Sequence, residues 1–86
     1  MNVQERIAAL VALGKLIQSG ADEFLNATIK RTAIHNPWFT EANQQQALEA
    51  IAQQMLDAAL LEKWLAPYPM EEPIAQKQVG LVLAGN

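Results

Sequence analysis

Apolar positions recur at helical spacing over the first two thirds of the chain and then lose that spacing. Ile7, Leu10, Val11, Gly14 and Ile17 share one side of a helix, and Leu13 and Leu16 widen the stripe. Asn2 stands at the N-cap of this segment and Glu5 at the reciprocal capping-box position, while Gly20 after Ser19 offers a left-handed stop. A second helix is predicted from Asp22 to about Ile34, acidic at its start and basic (Lys30, Arg31, His35) near its end, as the helix dipole favours. Its apolar face is Phe24, Leu25, Thr28, Ile29 and Thr32. Asn36 before Pro37 disfavours further helix, so Asn36-Pro37-Trp38-Phe39-Thr40 reads as an aromatic turn. Thr40 then caps a third helix, with Ala47, Leu48, Ile51 and Met55 expected inward and Gln45, Gln46, Glu49 and Gln53 outward. Asp57 is the candidate cap of a short fourth helix bearing Leu60, Leu61, Trp64 and Leu65. Ala58 and Ala59 leave open whether it is separate from the third.

After Ala66 the pattern changes. Pro67, Pro69 and Pro73 accompany Glu71 and Glu72, which predicts a linker. Val79-Gly80-Leu81-Val82-Leu83-Ala84 is apolar without polar alternation, as in a strand buried on both faces of a parallel sheet. A lone strand has no ladder partner, so the sequence reads as cut. The expected fold is mainly α: a small bundle of three to four helices (1–66), a Pro-rich linker (67–78), and one C-terminal β-strand opening a truncated domain (79–86).

Composition narrows the function classes. A chain of 86 residues with 51% apolar and 17% charged residues can support one modest core and is not disordered. With no cysteine, it holds no disulfide, thiolate metal site or cysteine nucleophile of its own. A net charge of −3 and only two arginines, Arg6 and Arg31, argue against nucleic acid as a partner. No apolar run is long enough to span a membrane, and the N-terminus lacks a signal-peptide layout, so a cytoplasmic protein is expected.

Individual candidates for chemistry are weak. His35 is the single histidine and lacks the partners of a metal site or triad; its place at a helix end favours a structural role. Glu71 and Glu72 are sequence neighbours rather than carboxylates facing across a substrate, so a solvated linker is favoured. Trp38, Phe39 and Trp64 favour core packing over a ligand groove, because each buries a large area. Gly80 and Gly85 fit neither the dinucleotide fingerprint nor the P-loop.

Three segments together resemble the bacterial long-chain acyl-CoA reductases, the fatty-acid reductases related to those of bioluminescence. They are Arg6-Ile7-Ala8-Ala9-Leu10-Val11-Ala12-Leu13-Gly14; Asn36-Pro37-Trp38-Phe39-Thr40 followed by Glu41-x-Asn43-x-x-x-Ala47-Leu48; and Val79-Gly80-Leu81-Val82-Leu83-Ala84-Gly85-Asn86. The resemblance covers nearly the whole chain, the middle segment being the most specific. It implies an aldehyde dehydrogenase-like parent that reduces a fatty acyl thioester to an aldehyde with NADPH or NADH through a cysteine thioester. It also implies a catalytic role for Asn86 as oxyanion donor, and places Leu83, Ala84 and Gly85 near the cofactor. An amide N–H₂ suits negative charge developing on a carbonyl oxygen. The nucleophilic cysteine and the cofactor-phosphate loop are absent from these residues, so this chain is expected to be inactive alone and to bind no cofactor. The expected partners are the rest of the parent enzyme, fatty acyl-CoA in that parent, and a second copy paired through the C-terminal strand. The alternative is a self-contained helical protein-interaction module.

Overall fold

Four side chains start four helices. Asn2 Oδ1 accepts from the Glu5 amide at 2.8 Å, Asp22 Oδ1 from Leu25 at 2.7 Å, Thr40 Oγ1 from Asn43 at 3.1 Å, and Asp57 Oδ2 from Leu60 at 3.1 Å. Each cap satisfies an orphan amide of the first turn and contributes about 1 kcal/mol. In the computed structural model, which describes residues 1–70 and 75–84, the helices are α1 (Val3–Ser19), α2 (Glu23–His35), α3 (Glu41–Gln54) and α4 (Ala58–Leu65). The Glu5 carboxylate does not close a capping box on the Asn2 backbone; it accepts from Asn2 Nδ2 at 3.4 Å. Gly20 ends α1 at φ +65°, a conformation that costs glycine little. Helices α3 and α4 are separate. The amides of Met55 and Leu56 both donate to the Ile51 carbonyl (2.9 and 3.2 Å), which closes α3 before Asp57 opens α4.

Helix α1 packs against α3 and α4, and α2 packs against α3. The buried positions are few: Ile7 and Gly14 from α1, Ile29 from α2, Ala52 from α3 and Leu61 from α4. Gly14 sets the α1–α3 distance. A Cβ there would lie 2.9 Å from Leu56 Cβ and 3.3 Å from the Leu56 carbonyl oxygen. Small Ala52 occupies the adjoining contact, and this rotates α3 from the expected orientation. Its inward row is Gln44, Leu48 and Ala52, continued by Leu56 beyond the helix, rather than Ala47, Leu48, Ile51 and Met55. Ile51 and Met55 are too large for so close an approach and stand on its flank, Met55 with 62% of its surface exposed.

The mainly helical expectation holds, with four helices, but the expected C-terminal strand is not formed. Residues 79–84 adopt neither helix nor strand, and their large side chains are exposed, from 77% for Leu83 to 96% for Val82. A strand needs a neighbouring ladder, and no other strand exists among the described residues to provide one. The linker residues 67–70 and 75–78 are likewise without helix or strand, while Glu71, Glu72 and Pro73 lie outside the described residues.

The accessible surface is 7447 Å², against about 5,000 Å² for a compact monomer of 9.5 kDa. The radius of gyration is 15.9 Å, where a compact chain of 86 residues gives about 12 Å. Among the described residues, large apolar side chains such as Phe24, Trp38, Trp64 and Val82 are exposed.

Candidate functional site

The aromatic turn is fixed by polar side chains at both ends. Asn36 Oδ1 accepts from the Trp38 amide at 3.1 Å, and the Phe39 amide donates to the Asn36 carbonyl at 3.0 Å. This is the local pairing that lets asparagine hold a turn ahead of proline. From α3, Gln44 Nε2 donates to the Phe39 carbonyl at 2.7 Å and to the Ile29 carbonyl at 3.0 Å. One side chain thus ties the turn, α2 and α3 together. Residue type alone did not point to Gln44, because its inward place depends on how α3 faces α2.

With its backbone held this way, Trp38 projects outward and is 85% exposed. Trp64 is 65% exposed. The expectation that these two tryptophans fill the core is therefore incorrect. Trp38 is carried on a turn whose interior contacts are made by backbone and Gln44. Trp64 lies on the flank of α4, while Leu61 takes the buried position facing the bundle.

Trp64 instead lines a groove. Gln54, Met55, Leu60, Leu61 and Trp64 enclose a hollow of about 320 Å³ between the end of α3 and α4. Its walls are apolar, and residues 41–65 around it carry four carboxylates (Glu41, Glu49, Asp57, Glu62) against one lysine, Lys63. A second hollow, on the opposite flank of α4, is lined by Val3, Ile7, Leu65, Tyr68 and Met70 among others. The chain leaving α4 runs along that second side, helped by a Tyr68 amide that donates to the Leu65 carbonyl at 2.9 Å.

The residues expected to carry chemistry are not gathered at either hollow. Leu83 and Ala84 are described, exposed and outside any element, whereas Gly85 and Asn86 lie outside the described residues. His35 is exposed at the end of α2, and among the described residues no group of three or more His, Cys, Asp or Glu is placed to hold a metal ion. No helix among the described residues is long and apolar enough to cross a membrane. What the arrangement offers is exposed apolar surface on a helical frame. No family model, curated protein or solved structure matches the chain.

Proposed function

We propose that this chain is the N-terminal helical segment of an acyl-CoA reductase and that its role there is to dock on, and complete, a larger cytoplasmic enzyme. The observation that carries the reading is the exposed apolar run Val79–Ala84, which follows four self-capped helices and meets no partner among the described residues. Such a run suits the first strand of a sheet whose other strands come from elsewhere in the parent protein. The motif resemblance at Asn36–Thr40 and Val79–Asn86 supplies the enzyme class.

On this reading the parent takes a fatty acyl thioester. A cysteine outside these 86 residues attacks the acyl carbon and releases coenzyme A as its thiol, leaving an acyl-cysteine thioester. NADPH or NADH, held by the remainder of the parent, supplies the hydride that converts the acyl group to aldehyde. Within this chain, Asn86 would donate its amide N–H to the acyl oxygen as negative charge develops there. The segment Leu83–Gly85 would bring the Asn86 backbone to the edge of the sheet.

The test is to express the full reading frame that contains this chain and incubate it with labelled long-chain acyl-CoA without nicotinamide cofactor. A covalent acyl-protein cleaved by neutral hydroxylamine is the expected product. A reading frame that ends at Asn86, or a longer product that takes up no label, overturns the proposal. The self-contained interaction module is the second reading; the exposed groove at Met55, Leu60 and Trp64 favours it, and it predicts no acylation.

A further inference from the structure

The chain after Ala66 falls into stretches of different exposure. Tyr68 and Met70 are 58% and 43% exposed, whereas the large side chains from Val79 to Leu83 are 77% to 96% exposed. Tyr68 and Met70 share a hollow of about 230 Å³ with Leu65 of α4 and with Val3 and Ile7 of α1; Gln4 and Glu62 line it as polar members. We infer that residues 67–70 form a strap across the seam between α1 and α4, and that its opening loosens the first turns of α1 while α2 and α3 stay folded.

Local bonding turns the chain into this position. The Ala66 amide donates to the Glu62 carbonyl at 3.0 Å and closes α4, and the Tyr68 amide then donates to the Leu65 carbonyl at 2.9 Å. Pro67 and Pro69 bracket Tyr68. Each proline fixes φ at about −65°, so Tyr68 and Met70 dock with a smaller loss of backbone freedom than the same side chains on a flexible linker. Both remain about half exposed, and so modest an apolar cover suits an element that opens and closes. Helix α1 is secured a second time where Gly14 meets Leu56 at the end of α3. Loss of the strap therefore acts on the Val3 and Ile7 end of α1 and leaves the Gly14 contact in place. A partner that holds the following chain only when residues 67–70 are drawn off α1 shifts the strap to its open form. The strap is independent of the reductase reading.

Amide hydrogen exchange of the 86-residue chain, followed residue by residue by NMR, tests the strap. In the unmodified chain, nuclear Overhauser contacts from the Tyr68 ring to the methyl groups of Val3 or Ile7 are expected. Tyr68→Ser combined with Met70→Ser removes the apolar cover and should speed exchange at residues 7–11 about tenfold. Amides around Ile29 in α2 and Leu48 in α3 should change by less than about twofold. Pro67→Gly combined with Pro69→Gly keeps both docking side chains and loosens only the backbone; it should speed exchange at residues 7–11 about fivefold. Absence of the Tyr68 contacts overturns the inference, as do unchanged rates at residues 7–11 in either variant. Equal acceleration in all four helices also overturns it, assigning residues 67–70 to overall stability instead.

Discussion

Replacing Gly14 by valine probes the close approach of α1 to the end of α3. Glycine inside a helix costs about 1 kcal/mol relative to alanine, and valine recovers roughly a third to a half of that. Against this small gain stands the α1–α3 approach. A Cβ alone would sit 2.9 Å from Leu56 Cβ and 3.3 Å from a carbonyl oxygen, which has no rotamer to escape into. Valine adds two further methyl groups in the same space. Overpacking of this kind typically costs about 1–3 kcal/mol, and a backbone neighbour places this site toward the upper end. The net loss expected is about 2 kcal/mol, which lowers the melting midpoint of so small a unit by roughly 8–16 °C. Thermal unfolding followed by helical circular dichroism at 222 nm reads it directly. Gly14→Ala should fall between wild type and Gly14→Val. Gly80→Val, where the side chain enters open space, should leave the midpoint in place. A Gly14→Val midpoint equal to wild type would falsify the claim that Gly14 sets the α1–α3 distance.

Three further substitutions test other parts of the frame. Gln44→Leu removes both bonds that tie the turn to α2 and α3 and should cost about 1–2 kcal/mol; an unchanged denaturation midpoint would show that those bonds are dispensable. Trp38→Ala should leave thermal stability within about 0.5 kcal/mol of wild type, because the ring is exposed on a turn whose backbone is held by other groups; a large drop would restore the core role that its size suggests. Asp57→Ala should destabilise the protein by about 1 kcal/mol and speed amide exchange in the first turn of α4, while an unaltered exchange pattern would mean that α3 and α4 behave as one element.

The helices were legible because their starts are written locally. Asn2, Asp22, Thr40 and Asp57 each bond an amide three residues ahead, a choice made within one turn of chain and therefore visible in a short window. The stop at Gly20 and the break at Asn36–Pro37 are local in the same sense. The facing of α3 was not legible, because it depends on how closely α1 approaches. That distance is set by Gly14 and Ala52 across the chain, and it turns the larger Ile51 and Met55 aside. Size misled at Trp38 and Trp64: a large ring does favour burial, but only where the backbone points it inward. The run Val79–Ala84 has strand composition without a strand's partners, and composition by itself does not form a ladder. The candidate site was visible only through motif resemblance, for which the described residues supply an exposed segment rather than an assembled cradle.

The proposed membership of these helices in a larger reductase is addressed most directly by one measurement. The product of the full reading frame is given long-chain acyl-CoA with NADPH and, separately, with NADH, while aldehyde formation and cofactor oxidation are followed together. One aldehyde formed per nicotinamide oxidised, with the 86-residue chain alone giving neither, is the predicted result. Aldehyde production by the 86-residue chain itself, or a full-length product that oxidises neither cofactor in the presence of acyl-CoA, would contradict it.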